Sequence, residues 1–160
     1  MIKMRWVGLS VALFLAACAQ PAAAPSTSSG MGGTGAFAGM DLLLTKSPTC
    51  TCCSGHSAYL REMGLQVTER ATDDINAVKD VYRIPLDMRS CHTSTLGRYF
   101  IEGHVPYAAI EQLFAQRPNI DGISLPGMPA GSPGMGGELD GPLVVYAIKD
   151  GSVVGEFGSF

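Results

Sequence analysis

Charge is scarce in this sequence, and basic charge is the scarcer sign. Lys, Arg, Asp and Glu make up 16% of the 160 residues, with 11 Lys plus Arg against 14 Asp plus Glu. A protein that neutralises nucleic-acid phosphates needs a dense basic face, so that class of partner is excluded. Long apolar runs are missing too. The best candidate, Val7 to Ala17, is too short to cross a bilayer as a stable anchor. No segment recurs, so the chain is not an array of like units. Its length is enough for one domain with a real core.

What is present begins with an export signal. Lys3 and Arg5 precede the apolar run, which ends Leu15-Ala16-Ala17-Cys18. This resembles the lipobox of bacterial lipoproteins. The resemblance makes residues 1–17 a cleaved signal peptide and Cys18 the lipidated first residue of the mature chain. Ala19 rather than Asp follows, which by the same resemblance directs the protein to the outer membrane, facing the periplasm. Cleavage removes Lys3 and Arg5, leaving nine basic residues against the same 14 acids. Ala, Pro, Ser, Thr and Gly dominate from Ala19 to Gly39, and residues 18–40 are expected to form a flexible tether. The folded domain is then 41–160.

The domain is organised around Ser47-Pro48-Thr49-Cys50-Thr51-Cys52-Cys53-Ser54. An apolar strand, Met40 to Thr45, precedes it, and a helix-like run from Gly55 to Met63 follows. The thiols therefore lie at a helix N-terminus, where free N–H groups and the dipole favour thiolate. Gly64 caps that helix. Leu65 to Glu69 alternates as a second strand. Thr72 caps a second helix whose inner face is Ile75, Val78 and Tyr82, and Pro85 closes it. Met63 and Met88 are expected in the core.

Cys91 to His104 reads as a hairpin about Gly97-Arg98. Leu96 then pairs with Tyr99, and carrying the register outward sets Cys91 opposite His104, on one face of the sheet. His92 falls on the other face. Pro106 opens a third helix with Ile110, Leu113 and Phe114 buried, and Pro118 follows it. Leu125 to Met135 is rich in Pro and Gly and is expected to be an irregular loop. Leu143 to Ile148 and Val153 to Phe157 form a final hairpin about Asp150-Gly151. The order β-α-β-α-β-β-α, with Cys50 and Cys53 after the first strand, is similar to the thioredoxin and glutaredoxin architecture, plus an extra C-terminal hairpin. In that architecture the segment entering the third strand meets the first helix's N-terminus, which would bring Cys91 to the other thiols.

Four mature cysteines in an oxidising compartment default to disulfides, with three pairings open. A thiol–disulfide oxidoreductase would use Cys50 as nucleophile and Cys53 as resolving thiol, but it has no need of Cys52 and Cys91. Zinc favours two Cys-x-x-Cys knuckles, and only one is present. Several Cu(I) ions bridged by thiolates would use all four, and Met128 and Met135 in the Gly-Pro loop add soft sulfur. His92 is a candidate for the surrounding shell. His56, one turn into the first helix, is expected to be solvated.

Four ordered motifs carry a family resemblance: Lys46-Ser47-Pro48-Thr49-Cys50-x-Cys52-Cys53; Ser90-Cys91-His92-Thr93; Glu102-Gly103-His104-Val105-Pro106; and Pro126-Gly127-Met128-Pro129-x-Gly131-Ser132-Pro133-Gly134-Met135. Together they are similar to the CopG-like family of small exported bacterial copper-binding and copper-resistance proteins, first catalogued as a domain of unknown function. The resemblance implies a thioredoxin-like fold and copper held by Cys50, Cys52, Cys53, Cys91 and His104. Many members carry Gly where this chain has Thr51. The expected function is a Cu(I) site, multinuclear and thiolate-rich, for copper handling, with copper ions and other periplasmic copper-handling proteins as partners. A Cu(I)/Cu(II) redox role and the dithiol oxidoreductase remain open alternatives.

Overall fold

The computed structural model describes residue 37 and residues 40–160. The expected signal peptide, Cys18 and nearly all of the tether lie outside the described residues. Among the described residues, seven strands form a single mixed sheet in the order β2-β1-β3-β4-β5-β6-β7, with three α-helices. The elements are β1 (Asp41–Lys46), α1 (Thr51–Glu62), β2 (Gln66–Ala71), α2 (Ile75–Val81), β3 (His92–Leu96), β4 (Tyr99–Glu102), α3 (Tyr107–Gln116), β5 (Gly122–Ser124), β6 (Val144–Lys149) and β7 (Ser152–Ser159). No helix among the described residues is long and apolar enough to cross a membrane.

Side-chain alternation along the strands builds two cores. Leu42, Leu44, Leu96, Tyr99 and Ile101 face α1 and α3, where Leu60, Ile110 and Leu113 complete the larger core. Phe100 and Ile148 face the opposite way and pack with Ile84, Tyr82 and Met88 beyond α2. Phe37 also reaches the larger core, its ring 5.2 Å from Phe114 and 5.7 Å from Tyr107.

The topology gathers several chain segments at one end of the sheet. β1 pairs parallel with β2 and antiparallel with β3, and Lys46 at its end faces His92 at the start of β3. β4 returns antiparallel to β3, and β5 runs parallel to β4. The exits of β1, β4 and β5 and the entry to β3 thus share one edge. That edge carries Cys50, Cys91, His104 and the loop from Leu125 onward.

The hairpin register agrees with expectation. Leu96 faces Tyr99 and Thr93 faces Glu102. Gly97 takes φ +57°, as a turn with a left-handed first residue requires. The last hairpin also forms, with Asp150 and Gly151 both at positive φ. Other expectations need correction. α1 begins at Thr51, not Gly55, because a turn closed by Cys50 N–H to Ser47 O (3.1 Å) launches it early. α2 is capped by Asp74, whose carboxylate accepts from Ala77 N–H, and not by Thr72. Met63 lies past the end of α1 and is 44% exposed instead of in the core. β5 was not expected. Its three residues give no periodicity, yet both neighbours supply ladder partners.

Candidate metal centre

The early start of α1 fixes the thiols. Cys50 is its N-cap, with φ −76° and ψ 98°, and no side chain caps the helix there. Residues i and i+3 share a helix side, so Cys53 turns back under Cys50, and the two are joined as a disulfide with Cα atoms 5.5 Å apart. Cys52 Sγ lies 3.5 Å from Cys50 Sγ. The fourth sulfur comes from the segment entering β3. The sulfurs of Cys50, Cys52, Cys53 and Cys91 all lie within 4.8 Å of one another, and Cys52 and Cys91 are free thiols. Burial raises the Cys91 thiol to about 11, with Cys52 beside it pushing the same way. This thiol is therefore protonated at neutral pH, so binding a cation there releases its proton.

The chain has three histidines, and all three meet here, buried, with ring centroids 4.9, 4.9 and 5.0 Å apart. The expected solvation of His56 is overturned. It follows Cys53 by three residues on the inner side of α1, and burial lowers its pKa to about 4. His56 Nε2–H donates to Val105 O at 3.0 Å, and its Nδ1 meets His92 Nε2 at 2.9 Å. His92 Nδ1 and His104 Nε2 each lie 3.2 Å from Cys91 Sγ. His104 Nδ1–H donates to Pro133 O at 2.7 Å. Burial lowers the pKa of both, and for His92 the neighbouring His56 and His104 add to it. The placement of His92 on the far face from Cys91 is therefore corrected. Strand alternation holds from His92 inward, but Cys91 sits on a bend before the ladder and its sulfur comes round to the His92 ring.

The Gly-Pro loop closes over this group. An added Cβ on Gly55 would sit 2.6 Å from Gly134 O, so loop and helix touch through bare backbone, and Gly134 itself takes φ +78°. Met128 does not turn inward, being 56% exposed, whereas Met135, next to Gly134, is half-buried. A surface cleft of about 380 Å³ between this loop and β6 includes none of the cysteines or histidines.

Behind Cys91, on the opposite face of the sheet, lies a buried ion pair that sequence reasoning missed. Lys79 Nζ reaches Glu102 Oε1 at 2.5 Å and Thr93 Oγ1 at 3.1 Å. Thr93 donates to Glu102 Oε2 at 2.6 Å, and Ser90 N–H donates to Oε1 at 2.6 Å. Glu102 therefore holds the backbone immediately before Cys91. Gly103, at φ +79°, is pressed between Ser90 and Leu125 O and leads straight to His104.

The comparisons bear on the same residues. A family described as "Protein of unknown function, DUF411" matches residues 88–135, which hold Cys91, His92, His104 and the loop. No curated protein matches. Two solved structures do. A copper resistance protein CopG, form 2, is 32% identical, with TM-score 0.69, over 76% of this chain and 98% of that one. Form 1 is 33% identical, with TM-score 0.68, over 75% and 96%. The chain belongs to the CopG-like copper-resistance family. The donor set suits a soft cation: several sulfurs, flanked by imidazoles, in a half-buried pocket. In this CopG-like chain Cys50, Cys52, Cys53 and Cys91 form one donor group, and Cys91, His92 and His104 form a second.

Proposed function

We propose that this protein holds copper as Cu(I), in a multinuclear thiolate site built by Cys50, Cys52, Cys53 and Cys91 with His104, and that it serves copper handling and resistance. One observation carries the reading: the sulfur of Cys91 joins those of Cys50, Cys52 and Cys53, about forty residues earlier in the chain, with all four within 4.8 Å of one another. Thiolates that bridge several Cu(I) ions tolerate such crowding, and Cu(I) prefers sulfur. The copper resistance proteins that it matches support the choice of metal. The strand order β2-β1-β3-β4, with the Cys-x-x-Cys at the first helix, supports a thioredoxin-like reading of the fold. Met135 is a further candidate ligand. The leader and Cys18 motivate a periplasm-facing, lipid-anchored location at the outer membrane. A Cys18→Ala chain found in the membrane fraction would oppose that location.

The Cys50–Cys53 disulfide must be opened before all four sulfurs can ligate. Reduce the folded domain with a dithiol, equilibrate it anaerobically with Cu(I), remove excess metal and measure copper per chain. More than one copper per chain, with the luminescence of Cu(I)–sulfur clusters, is expected. A stoichiometry near zero overturns the reading. The same disulfide favours the second reading, a thioredoxin-like oxidoreductase. That enzyme would reduce protein disulfides through Cys50 and survive Cys91→Ser, whereas a copper protein loses its metal.

A further inference from the structure

The two donor groups share Cys91 but differ in what the disulfide does to them. Closing Cys50–Cys53 removes two thiolates from the first group. It touches none of the donors in the second, Cys91, His92 and His104, whose donor atoms also lie within 4.8 Å of one another. A metal with Cys and His bonds near 2.3 and 2.0 Å holds such donors roughly 3.3–3.7 Å apart; the two sulfur–nitrogen edges here are 3.2 Å and the third is at most 4.8 Å, so the first two open slightly and the third closes.

The hydrogen bonds decide where the lone pairs point. A carbonyl oxygen only accepts. Val105 O therefore puts the proton of His56 on Nε2, leaving His56 Nδ1 bare. His92 must then donate from Nε2, which leaves its Nδ1 bare at 3.2 Å from Cys91 Sγ. Pro133 O likewise puts the His104 proton on Nδ1, leaving Nε2 bare at 3.2 Å from the same sulfur. Two buried lone pairs thus face one thiol, which has a single proton to give. One nitrogen stays unsatisfied, at the usual cost of a buried acceptor without a donor. A cation that replaces the thiol proton would satisfy all three atoms.

We propose that Cys91, His92 and His104 form a mononuclear His2Cys copper site that persists when the Cys50–Cys53 disulfide is closed, with His56 as the positioning residue that fixes the His92 tautomer. The proposal rests on the copper reading above. Two imidazoles and one thiolate suit copper in either oxidation state. Cys91 then joins a thiolate half that opens on reduction to a histidine half that is always formed.

The test uses the chain carrying Cys52→Ser, with Cys50–Cys53 closed. Cys91 is then the sole free thiol of the domain, so copper cannot drive it into an intramolecular disulfide. Add a Cu(II) salt, remove the excess, and record copper per chain, the visible spectrum and electron spin resonance. One copper per chain, a thiolate-to-copper charge-transfer band and coupling to two nitrogens are expected. His92→Gln should weaken retention by more than the roughly 10–100-fold that loss of a ligand's supporting partner costs and remove one nitrogen coupling, and Cys91→Ser should remove the band. His56→Phe should shift the band and its nitrogen coupling. No copper on the closed form, while the reduced wild-type chain takes up Cu(I), overturns this site alone. No copper on either form overturns the copper reading as well. Copper retained unchanged in His92→Gln also overturns the site. If Cys52→Ser fails to fold, X-ray absorption of the closed wild-type chain with one equivalent of Cu(I) decides. A mixed nitrogen and sulfur shell supports the site, and an all-sulfur shell overturns it.

Discussion

Two buried polar clusters sit back to back at one end of the sheet, and they are built on opposite rules. On the α2 face, Lys79, Thr93, Glu102 and the Ser90 amide satisfy one another: both oxygens of Glu102 are taken by internal donors. On the α1 face, three imidazoles and four cysteines meet with bare nitrogens aimed at one thiol. Adjacent residues serve the two sides, His92 one and Thr93 the other, because alternate side chains of a strand point oppositely. The contrast teaches a criterion. A buried polar set that closes on itself is scaffold, and one left with convergent lone pairs is built for something from outside.

The largest effect that tests this contrast lies on the closed side. Glu102→Ala strands the Lys79 ammonium without its carboxylate, and losing one partner of a buried pair costs about 3–5 kcal/mol. The urea midpoint should fall accordingly. Replacing both partners with apolar residues, Lys79→Met with Glu102→Leu, should recover part of the loss, since an apolar pair of similar volume is often neutral while the Ser90 amide and the Thr93 hydroxyl still lack their acceptor. A Glu102→Ala chain of near wild-type stability would break the claim that this cluster is scaffold. Glu102→Ala should also weaken copper retention, because Glu102 holds the amide preceding Cys91.

The next effect comes from acid and falls on the open side. The folded His56 pKa is about 4, below its ordinary 6.5, because burial penalises the imidazolium. Between those values the unfolded chain binds the proton and the folded chain does not, so stability falls as pH drops from 6.5 towards 4. The shift corresponds to about 3 kcal/mol at most. His92 and His104 shift the same way and steepen the loss. Urea denaturation of the metal-free chain at neutral pH and near pH 4.5 measures it. His56→Gln should flatten the slope, and an unchanged slope would mean that the buried imidazole is not what titrates.

Much of the open cluster was legible in the sequence, and little of the closed one. Three thiols in four positions after an apolar strand placed themselves at a helix start. The Gly97-Arg98 turn fixed a register whose outward extension brought His104 to Cys91. His56 was legible in principle, since Cys53, His56 and Leu60 recur at helical spacing and all three are buried. Taken alone, a polar residue one turn into a helix reads as solvated. Lys79 and Glu102 were invisible because a charge in an amphipathic helix or at a strand end ordinarily reads as surface. Only the three-dimensional pairing reveals that each neutralises the other. β5 escaped because Gly122-Ile123-Ser124 is shorter than any period that could announce it.

A smaller effect isolates the loop that covers only the open side. Gly55→Ala would drive a methyl group into Gly134 O, at 2.6 Å. Overpacking of this kind costs about 1–3 kcal/mol, and the loop can yield by lifting. The expected outcome is a modest loss of stability with faster copper release, because lifting the loop withdraws Pro133 O from His104. A chain that loses stability but keeps its copper off-rate would show that the loop is not part of the lid.

The smallest effect on stability is the most informative. Burial keeps the Cys91 thiol neutral at working pH, so Cys91→Ser exchanges one uncharged donor for another of similar shape. A serine hydroxyl can still donate to one imidazole, and the change in unfolding free energy should stay below about 1 kcal/mol. Yet Cys91 alone among the described residues belongs to both donor groups, so the same substitution removes a ligand from each. Stability and copper binding should therefore separate: the first nearly unchanged, the second largely lost. If Cys91→Ser instead costs as much as Glu102→Ala, the sulfur is holding the fold together, and the two clusters are of one kind after all.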